Sequence, residues 1–185
     1  MTTDQTIDVA IIGGGPAGYA AAIYAARANL TTTVLEQGMS GGQIATSNEI
    51  ENYPGIPLLS GVELGERFQQ HAEGLGAQVE WSMVTGVDYD VDAAQFTIHH
   101  DMGDAAAKSV IACMGATPRP AGFVGEDTYR GRGVSYCATC DGMFFRGKQV
   151  FVIGGGNSAC EEALFLSDIA SSVTIVLRRD QFRAP

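Results

Sequence analysis

The sequence predicts an α/β protein made of two doubly wound units, each opened by a glycine-rich turn between a strand and a helix. Three observations predict it. An apolar run at 7–12 (IDVAII) leads into GGGPAG at 13–18 and then into an Ala-rich helical stretch. The pattern recurs where QVFVI at 149–153 leads into GGGNSA at 154–159. Between them ATPRPAG at 116–122 carries two prolines, the mark of a linker.

Each element follows from its residues. Residues 7–12 are apolar and bounded by glycines, as a buried parallel strand requires. Residues 16–28 are Ala-rich, with Pro16 at a first helical position, where its missing N–H costs nothing. TTVLE at 32–36 is a second strand, which completes a βαβ unit. Residues 38–60, rich in Gly, Pro, Ser and Asn, form a long irregular stretch of the kind that carries function. Residues 62–75 are helical, with Val62, Phe68 and Leu75 on one face. Short strands around 78–89, 95–100 and 108–113 read as an antiparallel meander feeding a last core strand. The first domain is expected over 1–118 and the second over 119–185. In the second, 149–153 is a strand, 157–168 a helix and 172–177 a strand. A doubly wound domain needs about five or six strands. The second is therefore expected to be incomplete.

The chain has 185 residues, 24 of them Gly, and is 45% hydrophobic, an ordinary folded composition. Its net charge is −10, distributed unevenly. Up to Pro118 three basic residues face fourteen acidic ones; from Arg119 onward eight basic face seven acidic. Such an acidic chain repels phosphate backbones, so nucleic acid is not an expected partner. Met1 to Thr6 is polar, without a basic, apolar targeting pattern. No run approaches the roughly 18 apolar residues of a membrane span. The cytoplasm is the expected location and no membrane the expected surface.

The two glycine turns have the G-x-G-x-x-G/A spacing in the strand–helix context that gives it meaning. Gly13 permits the tight turn, Gly15 lets a pyrophosphate approach the backbone, and Gly18 lets helix and strand pack closely. The helix start offers free N–H groups to phosphate. Glu36 ends the next strand, where a carboxylate accepts ribose hydroxyls. In the second unit Gly154, Gly156, Asn157 and Ser158 occupy the turn, and the following strand ends in Leu177, Arg178 and Arg179, with Arg183 beyond. Acid at the first strand end suits an unphosphorylated ribose, as in FAD. Guanidinium groups at the second suit a 2′-phosphate, as in NADPH. Both are Rossmann-like dinucleotide-binding units, the first FAD-type and the second NADPH-type.

Four cysteines are present: Cys113, Cys137, Cys140 and Cys160. The C-x-x-C pair at 137 and 140 admits three readings. Zinc needs about four ligands, and His71, His99 and His100 have no ligand spacing, so no metal is expected. A structural disulfide conflicts with a reducing compartment. A redox dithiol fits, because such motifs lower one thiol's pKa. Asp141 adjoins Cys140 and could exchange protons with it. Cys113 and Cys160 read as buried small hydrophobes.

Two nucleotide turns flanking a C-x-x-C narrow the field. The order GGGPAG, Glu36, GGQ at 41–43, ENYPG at 51–55, CATCDG at 137–142, GGGNSACEEAL at 154–164 and RRDQFRA at 178–184 resembles the low-molecular-weight thioredoxin reductases, within the pyridine nucleotide-disulfide oxidoreductase family. The resemblance covers essentially the whole chain. It implies FAD, NADPH, a thioredoxin partner and a homodimer in the full-length form. It also implies that hydride passes from NADPH to FAD and then reduces a Cys137–Cys140 disulfide. Cys140 would face the flavin, Cys137 would attack the partner and Asp141 would handle protons. Gly42, Gln43 and Asn52 match flavin-lining positions, and 116–122 matches a hinge strand. Two positions depart from the pattern: Leu177 stands where the family usually has His, and ACMG at 112–115 where ATG is typical. The competing readings are a peroxiredoxin reductase component, a small-molecule dithiol oxidase, or an inactive fragment.

Overall fold

In the computed structural model, which describes residues 6–184, the first unit grows outward from β1 (Ile7–Ile12). The polar start at 1–5 lies outside the described residues. β1 pairs in parallel with β2 (Thr32–Glu36) on one side and with β6 (Gly103–Ala112) on the other. A strand flanked on both edges and covered on both faces must be apolar, and Val9 to Ile12 are buried. Helix α1 (Pro16–Arg27) has Pro at its start and buries Gly18, Tyr19, Ala22 and Ala25, a spacing of one helical face. Helix α2 (Gly61–Gly74) begins with a capping box: Ser60 accepts from the Glu63 N–H while the Glu63 carboxylate accepts from the Ser60 N–H.

The strand order is β3-β2-β1-β6-β5-β4, with β3 Gln78–Trp81, β4 Val84–Asp90 and β5 Gln95–His100. Two points correct the sequence reading. Residues 78–89 are not one meander strand. β3 pairs in parallel with β2 and belongs to the core, and only β4 starts the meander. The reason is Val79, which pairs with Val34 and packs against the helix-side core. Strand β6 also begins earlier than expected, at Gly103, because its first half (Asp104 to Ala107) carries no bulky apolar signal.

β6 serves two partners in succession. Residues Gly103–Ala107 pair antiparallel with β5, and Ala107–Ala112 pair in parallel with β1. The meander does not extend the sheet sideways. The His100 Nδ1 of β5 lies 3.8 Å from the Glu80 Oε1 of β3, although several strands separate them in the order. The meander is therefore folded over one face of the parallel sheet, where Ile98 and Ala107 join Ala10 and Leu35. The opposite face, Val9, Ile11 and Val34, is covered by Tyr19, Ala22 and Ala25 of α1 and Ala72 of α2. The first unit thus has three layers.

Contacts divide the chain into two units, Met1–Ala116 and Thr117–Pro185. The second contains α3 (Ala138–Asp141), β7 (Gln149–Ile153), α4 (Asn157–Ser167) and β8 (Ser172–Val176). β7 and β8 pair in parallel, from Gln149 opposite Ser172 to Ile153 opposite Val176. Side chains alternate across a strand. Val150, Val152, Val173 and Ile175 accordingly pack with Ala138, Ala163 and Leu166. Phe151, Ile153 and Val176 point the other way and are exposed.

Candidate functional site

In the first unit the glycine turn joins β1 to α1. Gly13 has φ +105°, and a side chain there would collide with the Cys113 carbonyl. A methyl group on Gly18 would run into the Gly13 carbonyl, so the helix seats on the turn only with glycine there. Gly15 is different: a Cβ would meet no atom of the described residues within 4 Å. Gly15 is also the N-cap of α1, and no side chain caps that helix start. Open space beside an uncapped helix N-terminus is what an incoming pyrophosphate needs.

Glu36, at the end of β2, is buried and reaches back to the turn. Its Oε2 accepts from the Gly14 N–H at 2.5 Å and its Oε1 from the Gly38 N–H at 2.7 Å. Each oxygen keeps a lone pair for a further donor, such as a ribose hydroxyl. Gly42 lies close by, since a Cβ there would stand 3.5 Å from the Gly15 Cα. The loop is held by the Gly41 N–H donating to the Gly14 carbonyl at 2.8 Å. So Gly13, Gly15, Gly18, Glu36 and Gly42 converge, and Pro16 sits at the helix start. Gln43 follows in an exposed 3-10 turn, Gly42–Thr46. Asn52 sits on an exposed loop between the isolated bridges of Ile50 with Leu59 and Tyr53 with Ile56.

The second turn repeats this design with different chemistry. Gly154 has φ +143°, and its N–H donates to the Val176 carbonyl at 3.0 Å, as the Gly13 N–H donates to Leu35 at 2.8 Å. Gly156 caps α4 without side-chain help, and a Cβ there would also meet nothing within 4 Å. Asn157 and Ser158 are exposed on the first turn of α4. Where the first turn meets a carboxylate, the second meets a basic tail. The Arg183 N–H donates to the Gly155 carbonyl at 2.7 Å, which brings the Arg178–Arg183 segment back to the turn. Arg179 and Arg183 line a shallow depression with Asp180, Gln181 and Phe182. Arg178 is exposed beside it, and Leu177 packs against Gly155.

Cys137 and Cys140 form a disulfide, with Cα atoms 5.3 Å apart across the start of α3. The Cys137 Sγ accepts from the Cys140 N–H at 3.2 Å, and the Thr139 hydroxyl lies 3.4 Å from it. Asp141 is half-buried, and the Ser135 hydroxyl donates to its Oδ2 at 2.5 Å. Cys113 and Cys160 are free and half-buried. Burial pushes the Cys113 thiol above its ordinary range. Among the described residues no group of three or more His, Cys, Asp or Glu could hold a metal. Nor is any described helix long and apolar enough to cross a membrane.

Sequence reasoning missed several supports. Gly14 is wedged between the Tyr19 hydroxyl and Glu36. Tyr19, fully buried, bonds Ser40 at 2.7 Å, and Ser40 bonds Gln69. Upstream of the disulfide the buried Glu126 accepts from the Ala121 and Gly122 N–H groups at 2.8 and 2.6 Å and from the Tyr136 hydroxyl at 2.6 Å. Those donors, Tyr136 first, hold its carboxyl below the usual range, and the same contact raises the Tyr136 phenol. The Ser60–Glu63 capping box was missed as well, although its S-x-x-E spacing is a local signal. The others are joined by the fold.

Three likenesses bear on this geometry. The chain is 44% identical to a thioredoxin reductase of Bacillus subtilis over 185 residues, which is all of this chain and 58% of that protein. It is 45% identical over 177 residues to a protein of Pseudomonas fluorescens named glucosaminate ammonia-lyase, covering 95% of this chain and 55% of that one. The crystal structure of thioredoxin reductase from Streptococcus pyogenes superposes with a TM-score of 0.89 at 44% identity, over 97% of this chain and 58% of that one. The chain thus spans a little over half the length of the relatives it matches. The model of the pyridine nucleotide-disulphide oxidoreductases matches residues 7–185. With two uncapped glycine turns and a disulfide in the second unit, the chain belongs to the pyridine nucleotide-disulphide oxidoreductase family.

Proposed function

We propose that this chain provides the FAD turn, the NADPH turn and the redox dithiol of a thioredoxin-disulfide reductase. The observation that carries the reading is the Cys137–Cys140 disulfide lying in the same unit as a glycine turn whose neighbours are arginines. Relatives named thioredoxin reductase support the choice of protein partner. Assembly as a homodimer in the full-length protein rests on the resemblance of its motifs, and a reducing cytoplasm is the setting in which a C-x-x-C pair serves as a redox dithiol rather than a staple.

The residues divide the work. Gly15 and the α1 start would receive the FAD pyrophosphate, with Glu36 on the adenosine ribose and Gly42, Gln43 and Asn52 toward the rest of the group. Gly154, Gly156, Asn157 and Ser158 would receive the NADPH pyrophosphate, and Arg178, Arg179 and Arg183 its 2′-phosphate. Bound FAD would supply the relay that passes two electrons from the nicotinamide to the disulfide. Once reduced, the Cys137 sulfur would attack one sulfur of the partner's disulfide, forming a mixed disulfide and releasing the other as a thiol. The Cys140 sulfur would then attack Cys137, releasing the second partner thiol and re-forming the intramolecular bond, with Asp141 giving and taking the protons.

The test uses the full-length protein. Purified material should be yellow, and it should reduce a thioredoxin with NADPH. Replacing Cys137 or Cys140 with Ser should abolish that turnover while leaving flavin reduction by NADPH intact. Turnover that survives either replacement would refute the reading.

A further inference from the structure

We propose that Ser135 is the positioning residue that lets Asp141 alternate between base and acid. The inference rests on the role given to Asp141 above and deepens it. Ser135 lies two residues before Cys137, in a segment that precedes the helical turn. Its hydroxyl has three polar neighbours: the Asp141 Oδ2 at 2.5 Å, the Cys137 N–H at 3.1 Å and the Cys137 carbonyl at 3.2 Å.

A hydroxyl has one proton to give and two lone pairs to receive. The Cys137 N–H fills one lone pair in every state. With Asp141 ionised, the hydroxyl donates to its carboxylate, a charge-assisted bond of the stronger kind. With Asp141 protonated, the hydroxyl can accept from the acid and turn its own proton to the Cys137 carbonyl. Both forms of Asp141 are therefore held, and the side chain need not be released when it gains or loses a proton. The same hydroxyl is anchored on the backbone of Cys137, so the carboxyl is kept in register with the dithiol. Alanine at 135 would leave Asp141 without this donor and free to rotate.

The experiment needs neither flavin nor nicotinamide, so it stands apart from the cofactor assignments. Dithiothreitol reduces the Cys137–Cys140 disulfide of the purified chain. Its thiolate attacks one sulfur, the S–S bond breaks, and the electron pair leaves on the other cysteine sulfur, which takes a proton. The second dithiothreitol sulfur then closes its ring and releases the remaining cysteine. The rate is followed at one fixed pH by quenching in acid and trapping thiols for mass analysis, in H2O and in D2O. Asp141→Asn should slow the reduction and change its solvent deuterium isotope effect, which marks the proton transfer that Asp141 carries. In Ser135→Ala the rate should fall about threefold to tenfold, and the isotope effect should move toward that of Asp141→Asn. Ser135→Thr, which keeps the hydroxyl, should restore both. Ser135 is exposed, so neither replacement threatens folding. If Asp141→Asn slows the reduction and Ser135→Ala leaves both rate and isotope effect unchanged, the proposal is wrong and the role of Asp141 stands. If Asp141→Asn changes nothing, that role is wrong and the proposal falls with it.

Discussion

Gly15 and Gly18 stand three positions apart and should fail in opposite ways. No atom of the described residues opposes a side chain at Gly15, so Gly15→Val should melt near wild type yet lose FAD binding, read by flavin fluorescence on titration. At Gly18 even a methyl group meets the Gly13 carbonyl, so Gly18→Ala should cost about 1–3 kcal/mol in urea unfolding. Unaltered flavin affinity in Gly15→Val would remove the pyrophosphate assignment. The cysteines offer a second contrast. After mild reduction, Cys137 and Cys140 should alkylate well before Cys113, whose thiol burial holds in the protonated form. Peptide mapping that found Cys113 labelled first would contradict this. Most of the candidate residues were legible beforehand because they sit in local strings: a glycine turn, a strand-end acid, a C-x-x-C. What stayed hidden was joined through space. Ser135 gave no sign of holding Asp141, nor Gly14 of sitting against a carboxylate 22 positions away. Ser and Gly are too common in loops for their type alone to signal such a role.

At the level of elements the meander carries a pH-sensitive cluster. His99 on β5 bonds Asp88 on β4 at 2.9 Å and Asp104 on β6 at 2.8 Å, so one imidazole bridges three strands. The two carboxylates, Asp88 foremost, raise its pKa above the ordinary 6.5. A folded-state pKa above the unfolded value means that the charged imidazole stabilises the fold. That contribution is complete below about pH 6.5 and fades as pH rises through the higher folded value. Urea midpoints should therefore fall from pH 6 to 9, and His99→Gln should flatten the trend. A flat wild-type profile would refute it. Asp8 works in the other direction: Lys108, 2.7 Å away, and the Thr31 N–H draw its carboxyl down to about 2, so its contribution is lost only as pH falls below the usual 3.8. The same scale shows where the sequence misleads. Residues 78–81 and 84–90 look like one β-rich run, and nothing local tells that the first pairs with β2 and the second turns away. Pairing partners are decided by which apolar face finds a core, as Val79 does, and not by strand propensity.

Over the whole molecule the two units differ in how much of their sheet is covered. The first has layers on both faces; the second has one helix-covered face, with Phe151, Ile153 and Val176 exposed on the other. Amide exchange should accordingly be faster across 149–153 and 172–176 than across β1, β2 and β6, and dilution should slow any self-association through the bare face. Uniform protection across both sheets in a monomer would rule this out. Under the proposed function, the basic tail should make the full-length protein favour NADPH over NADH by roughly one to two decades in kinetic efficiency, the value of a charge-assisted contact of about 1.5–3 kcal/mol. The double pairing of β6 has a consequence for the order of assembly. The hairpins that join β4, β5 and β6 close over a few residues, whereas the β1–β6 seam ties Asp8 to Lys108, 100 positions along the chain. Short closures cost less entropy and form first. The meander should therefore be an early template whose last strand, already half paired, offers its free half to the N-terminal strand late in refolding. Any change that frays Gly103–Ala106, the part of β6 that pairs with β5 alone, would then slow the search for β1 without touching a residue that pairs with it.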